Sequence, residues 1–543
     1  MQLVCQIKLS FNIDSSHPLA QWLCLARLGV IVKTKRVAII GAGVGGLVAA
    51  VELAQKGFDV EVFERAATPG GKMRQLMADG DAIDAGPTVF TMRWVFDQIF
   101  RDAGTSLEAE LKLTPLNCLA RHAWNSRDRL DLFSSIDQTV DAIGAFAGAA
   151  EARGYRDFCE RSRTVYETLE EPFMRSTQPT PVSLSLSRGV TGLTDMWRLS
   201  PFTTLWRALG EHFNDPRLRQ LFGRYATYCG SSPFQCPATL MLVAHVEQQG
   251  VWTVDGGMHR LAQVLMKLAE RKGAKFSFNA QVAEVETSNG KVSGIRLANG
   301  ERKASDAIIV NSDAAAVANG LLGRDIARSV ARTSPSARSL SAVTWTTKAQ
   351  TVGFPLMRHN VFFSGNYQAE FDDIAIRNKL PSAPTIYVCA QDRHDHNPDA
   401  ALGPERLLIL VNAPANGDQR RFTPSEIAEC EERTFAHLQA CGLTIDRSAP
   451  ATLTTPAEFH QLFPATGGAL YGQASHGWTA SFNRPSGVTK IPGLYLAGGS
   501  VHPGPGVPMA ALSGWIAAAV LTADLTSGRG SHPVVMPGGM STA

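Results

Sequence analysis

Arg36-Val37-Ala38-Ile39-Ile40 runs directly into Gly41-Ala42-Gly43-Val44-Gly45-Gly46, and a small-residue apolar series from Leu47 to Ala54 follows at once. A β-branched strand, a Gly-x-Gly-x-x-Gly turn and a helix in that order commit the chain to a βαβ unit that holds a dinucleotide. Gly41 allows the tight turn, Gly43 lets the backbone approach a pyrophosphate, and Gly46 lets helix and strand pack closely. The helix start offers free N–H groups to the anion. Lys56-Gly57 stops the helix, and Asp59-Val60-Glu61-Val62-Phe63 predicts a second strand closed by Glu64, 23 residues after Gly41. An acid at that point is placed to accept hydrogen bonds from the adenosine ribose hydroxyls.

The next residues argue for FAD rather than NAD. Past Glu64-Arg65 come Pro69-Gly70-Gly71-Lys72 and Asp84-Ala85-Gly86-Pro87-Thr88, a second glycine pair and a cation able to reach the same pyrophosphate from its other side. No second Gly-x-Gly-x-x-Gly follows a strand, so no separate nicotinamide unit is expected. Farther on, Gly493 to Gly499 reads as a strand ending in glycines, and Pro508 starts a helix of small residues. Its N–H groups would face the flavin pyrimidine edge, where negative charge grows on reduction. A helix packed closely on a sheet accounts for the same alanines and glycines.

Composition narrows the partners. Lys plus Arg number 52 against 49 Asp plus Glu, a net +3 that gives no basic field for nucleic acid. The nine cysteines are odd in number and never spaced Cys-x-x-Cys, which argues against a disulfide framework or a zinc site and for a reducing compartment. No uninterrupted apolar run reaches the roughly 18 residues of a membrane span. Residues 1–32 are expected to be a disordered extension, with translation beginning near Val32, and residues 527–543 a disordered tail.

Together, the Gly41–Gly46 turn, Pro69-Gly70-Gly71-Lys72 and Asp84-Ala85-Gly86-Pro87-Thr88 resemble the FAD-dependent amine oxidase and phytoene desaturase superfamily. Gly250–Met258 and Leu494–Pro508 are similar to the bacterial carotenoid desaturase pattern, and Gly498-Gly499-Ser500-Val501-His502-Pro503-Gly504-Pro505-Gly506-Val507-Pro508-Met509 is most similar to its 1-hydroxycarotenoid 3,4-desaturase branch. Lys72 departs from the pattern, standing where the superfamily usually has Arg; the charge is kept but the bidentate fork is lost. The resemblance spans roughly residues 35–526 and implies an α/β fold. A Rossmann-like FAD-binding domain would be built from 33–115, 251–334 and 460–526, with a helical cap inserted at 116–250 and a mixed-sheet substrate domain at 335–459. Tyr155, Phe158, Val165, Tyr166 and Leu169, spaced at threes and fours, predict helix within that cap. The cofactor contacts implied are Gly41, Gly43, Gly46, Glu64, Arg65, Gly70, Gly71, Lys72, Gly86, Pro87, Thr88, the Val282 backbone at the adenine, Gly498, Gly499, Ser500, Val507, Pro508 and Met509.

The chemistry implied is hydride transfer from a C–C single bond beside a polyene, with loss of a proton; the polyene delocalises the positive charge, so the protein mainly positions its substrate. His502 is the candidate base, with a structural or substrate-contact histidine as the plainer reading. Asp84 is a second, with turn capping as its plain role. The carotenoid would come from a bilayer and the electrons leave to quinone or oxygen. Met196–Leu209 interleaves Trp, Phe and Leu with Arg, which suits a membrane interface or equally a core helix with snorkelling arginines. The expected location is the cytoplasmic side, peripheral to the inner or photosynthetic membrane. The alternatives are a phytoene or general carotenoid desaturase, another flavin oxidase of the same fold acting on amines or porphyrinogens, and a carotenoid carrier without chemistry.

Overall fold

A computed structural model describes residues 34–177, 179–180, 202–394 and 403–527. The extension at 1–32, the tail past Ser527 and the first part of Met196–Leu209 lie outside the described residues.

The chain opens with β1 (Arg36–Ile40), α1 (Val44–Ala54) and β2 (Asp59–Phe63), followed by β3 (Cys118–Ala123) and β4 (Arg129–Phe133). α2 (Met258–Arg271), β5 (Lys275–Ser277) and β6 (Ala307–Val310) come next. Then come β7 (Ser341–Ala349), β8 (His359–Phe362), α3 (Tyr367–Ala375), β9 (Ile386–Ala390), β10 (Glu405–Ala413), α4 (Pro424–Ala440) and β11 (Ala451–Thr454). β12 (Leu494–Leu496) and α5 (Val507–Ser527) close it.

Five strands form a parallel sheet in the order β12-β6-β1-β2-β5. After the exposed Arg36, β1 is apolar because both faces are covered. Val37 and Ile39 pack into the core built by α1, α2 and α5. Ala38 and Ile40 face the opposite core, under a small antiparallel sheet that begins at Val282. Glycine sets the approach of α1 to α5: a Cβ at Gly514 would lie 2.0 Å from the Gly45 carbonyl oxygen. By length and apolarity α5 could cross a bilayer, yet Ala511, Leu512, Ala518 and Leu521 are buried against α1.

The second layer is a seven-stranded sheet, β11-β7-β10-β9-β8-β3-β4, antiparallel except where β8 meets β3. Side chains alternate across it. Val343, Trp345, Val388 and Ile409 pack under α4, while Tyr387, Leu408 and Leu410 line a cavity on the other face.

Within 116–250, β3 and β4 complete the seven-stranded sheet and the helices of the cap begin at Ile136. Short strands of mixed polarity, with Leu130 and Leu132 buried in alternation, carry too weak a period to announce themselves. Val282 starts a separate three-stranded antiparallel sheet. The described end of Met196–Leu209 agrees with the core-helix alternative, with Leu205, Ala208 and Leu209 fully buried, while Phe202 before it is exposed. The Asn289-Gly290 hairpin forms as its sequence requires, with both residues at positive φ, 52° and 75°.

Candidate functional site

The glycine-rich turn and the Pro69–Lys72 segment, 23 or more residues apart, meet at the carboxyl end of β1. Gly70 N–H donates to the Ala42 carbonyl at 2.8 Å, and a Cβ at Gly71 would stand 3.3 Å from Gly43 Cα. Gly46 admits no side chain, since a Cβ would fall 2.2 Å from the Gly41 oxygen. Glu64 is 8% exposed, and its two carboxylate oxygens accept the N–H groups of Ala42 at 2.7 Å and Ala66 at 2.8 Å. Each oxygen keeps a second lone pair. This glycine cradle beside a buried, half-committed carboxylate fits an adenosine diphosphate.

Val282 lies close by, because Ala280 N–H donates to the Glu64 carbonyl at 2.8 Å. From the other end of the chain, Gly498 (φ 112°) donates its N–H to Ser513 Oγ at 2.7 Å. A Cβ at Gly45 would sit 3.0 Å from the Gly498 nitrogen, so the Gly498–Gly499 turn is packed against the first glycine motif. Ser500 Oγ accepts the Ala314 N–H at 2.9 Å and thereby supports a neighbouring helix start. Gly86, Pro87, Thr88, Val507, Pro508 and Met509 all line the cavity.

The Arg65 guanidinium is exposed and donates to the Gln461 and Leu462 carbonyls at the end of a short helix. His502 does not line the cavity: it is 4% exposed, its Nε2 donates to the Ser176 carbonyl at 2.9 Å, and its ring stands edge-on to Phe173. Burial pushes its pKa down to about 4. It is a neutral strut behind a cavity-wall aromatic, which corrects the expectation that it acts as the base. Asp84 takes the capping role, accepting the N–H groups of Met258 at 2.5 Å and His259 at 3.3 Å at the start of α2.

Lys72 donates to the Leu470 carbonyl at 2.6 Å. Burial lowers its pKa, opposed by the Asp313 charge and reinforced by Arg484. Asn311 was not flagged by sequence, although its place at the end of the Ala307–Val310 run was the available signal. Its Nδ2 donates to the Gly41 carbonyl at 3.1 Å, and its side chain fills the space where Cβ atoms on Gly43 and Gly46 would stand.

The cavity, about 410 Å³, runs from Gly86–Thr88 and Pro503–Met509 to a mouth at Phe202 and Trp478. Those two aromatics are 75% and 43% exposed and meet edge to face. The interior is mostly apolar but carries a polar band that sequence reasoning missed. Thr88 Oγ1 and Tyr387 Oη are 2.6 Å apart, and Tyr387 Oη is 2.7 Å from His359 Nδ1. Arg224 lies over the Tyr228 and Tyr387 rings at 5.3 and 5.5 Å. Glu247 accepts from Tyr228 at 2.6 Å and Tyr225 at 2.8 Å. Burial raises the Glu247 pKa, and these hydroxyls with the Arg224 charge draw it back. Burial holds His359 neutral, down to about 3.

Comparison with known proteins agrees with this arrangement. A family model described as flavin containing amine oxidoreductase matches residues 44–522. The chain is 54% identical over 514 residues to hydroxyneurosporene desaturase of Rubrivivax gelatinosus, covering 94% of this chain and 98% of that protein. It is 43% identical over 495 residues to hydroxyneurosporene desaturase of Cereibacter sphaeroides, covering 91% and 98%. Among solved structures, putrescine oxidase bound to putrescine superposes with a TM-score of 0.57 at 15% identity, covering 90% of this chain and 99% of that one, a likeness of fold alone.

Proposed function

The chain belongs to the flavin containing amine oxidoreductase family, and from that premise we propose that it desaturates hydroxylated carotenoids, introducing the 3,4 double bond into 1-hydroxycarotenoids of the neurosporene type. The observation that carries this reading is 54% identity across nearly the whole of a hydroxyneurosporene desaturase, joined here to a mostly apolar cavity lined at one end by Gly86–Thr88 and Pro503–Met509.

FAD is the cofactor, and when bound it supplies the hydride acceptor. The adenosine end is assigned to Glu64 and the Val282 backbone, and the pyrophosphate to the cradle of Gly41, Gly43, Gly70 and Gly71, with Lys72 behind it. At the other end α5 begins with Val507, Pro508 and Met509, and Ala510 is the first residue whose N–H bonds back, to Gly506 at 2.9 Å. The preceding N–H groups point out of the helix start and favour negative charge in front of it. The apolar wall excludes water and aligns the polyene. Neutral His359, linked through Tyr387 to Thr88, offers the cavity a proton-holding chain that His502 does not.

The substrate enters from a membrane surface past Phe202 and Trp478, with the protein bound peripherally, and the electrons pass to quinone or oxygen. A flavin oxidase of amines or porphyrinogens would be expected to show an aromatic pair or a polar anchor near the flavin, and the Pro503–Pro508 turn that lines this end of the cavity supplies neither. The test is anaerobic incubation of the FAD-loaded protein with liposomes carrying 1-hydroxyneurosporene or neurosporene, following flavin bleaching and product mass. Bleaching with loss of two hydrogens is expected on the hydroxylated substrate. Equal turnover of both would make it a general carotenoid desaturase, and silence on both would reopen the oxidase and carrier readings.

A further inference from the structure

The cavity wall facing Gly86–Thr88 is one face of the seven-stranded sheet. Tyr387 on β9 pairs with Leu410 on β10, and because side chains alternate, Thr385 and Asn412 one step farther share the same face and also line the cavity. Tyr367, the first residue of α3, joins them there. Beneath them Glu370 is 1% exposed and accepts the Thr385 N–H and the Asn412 amide, each at 3.0 Å. That base is fixed. Above it, among the described residues, the Tyr367 hydroxyl has no hydrogen-bond partner, and Thr385 Oγ1 stands within reach of the Glu370 carboxylate without a well-aligned bond to it. Both residues are sealed, at 6% and 7% exposure. Buried hydroxyls left unpaired are costly, and in a hydrocarbon cavity a site built to bond a substrate hydroxyl discriminates strongly against an analogue that lacks it.

The spacing suits such a role. Thr385 lies two residues, about 7 Å, along the strand from Tyr387, whose hydroxyl touches Thr88, one of the implied cofactor contacts. In a 1-hydroxycarotenoid the oxygen stands about 4 Å from the 3,4 bond by covalent geometry. We infer that Tyr367 and Thr385, held on Glu370 and Asn412, form the subsite for the substrate hydroxyl and so set which bond meets the flavin. This inference rests on the desaturase reading of the same cavity.

The test uses the full FAD-loaded chain with liposomes of 1-hydroxyneurosporene or neurosporene, reading binding by quenching of tryptophan fluorescence and turnover by product mass. The unsubstituted protein is expected to bind the hydroxylated carotenoid at least about tenfold more tightly. Tyr367→Phe and Thr385→Val, each a loss of one oxygen, should narrow that preference about three- to tenfold, and the double variant should abolish it, with the hydroxylated carotenoid bound more weakly and neurosporene bound no more weakly than before. Tyr367→Phe alone decides the matter if Thr385→Val does not load flavin. A preference that survives the substitutions, or equal binding of both carotenoids by the unsubstituted protein, overturns the subsite whatever the turnover. Preferential binding that the substitutions erase, without loss of two hydrogens on turnover, supports the subsite and sinks the desaturase reading instead.

Discussion

Glu64→Ala separates the two tasks assigned to this carboxylate, shaping the glycine turn and holding the ribose. In the flavin-free protein Glu64 accepts two backbone N–H groups, from Ala42 and Ala66. Ala66 is exposed, so water replaces the bond it loses. Ala42 is 0% exposed, and its N–H would be orphaned. A buried donor left without a charged acceptor costs about 2–3 kcal/mol, which is the expected loss of stability before any cofactor is added. If the same oxygens also take the ribose hydroxyls, the lost charge-assisted bonds weaken FAD binding a further ten- to hundredfold, about 1.5–3 kcal/mol. Denaturant unfolding of the flavin-free protein reads the first quantity, and titration with FAD followed by flavin fluorescence reads the second. Glu64→Gln is the control: its carbonyl can still accept from Ala42, so flavin-free stability should largely return. Unchanged stability of Glu64→Ala together with FAD affinity within about threefold of the original would refute both assignments.

Three further outcomes are expected. His502→Ala should keep turnover within about threefold, because the ring does not reach the cavity, while losing about 1–3 kcal/mol of stability from the Ser176 bond and the Phe173 contact; a thousandfold loss of turnover with intact flavin would restore it as the base. Burial raises the Glu370 pKa from 4.5 to about 7, so between those pH values the folded protein holds more protons than the unfolded chain and stability falls as pH rises, by about 3 kcal/mol in all. Glu370→Gln should remove that decline in pH-dependent unfolding, and an unaltered slope would contradict it. Phe202→Ser with Trp478→Ser should weaken co-sedimentation with liposomes at least about tenfold, since each exposed aromatic can bury 1.5–3 kcal/mol worth of surface; unchanged binding would move the membrane contact elsewhere.

What the sequence determined by itself is the βαβ unit. Its turn, strand ends and helix start are written within some thirty residues, and Gly41, Gly46 and Glu64 all act within that span, Glu64 reaching back to Ala42, so local spacing is enough to read them. The FAD assignment followed from the same kind of signal in Gly70, Gly71 and Gly498. Only the tertiary structure decided which way the side chains point. Asn311 enters the glycine turn because β6 lies beside β1, a pairing across 270 residues. His502 sits inside the most recognisable motif yet turns to Ser176, whereas His359, Tyr387, Thr88, Arg224 and Glu247, unremarkable in sequence, converge on the cavity. β3 and β4 join a sheet whose other strands lie more than two hundred residues on. The physical reason is register: a strand presents alternate residues to opposite faces, and which face becomes a cavity wall is fixed by pairing partners distant in the chain, about which local periodicity carries no information.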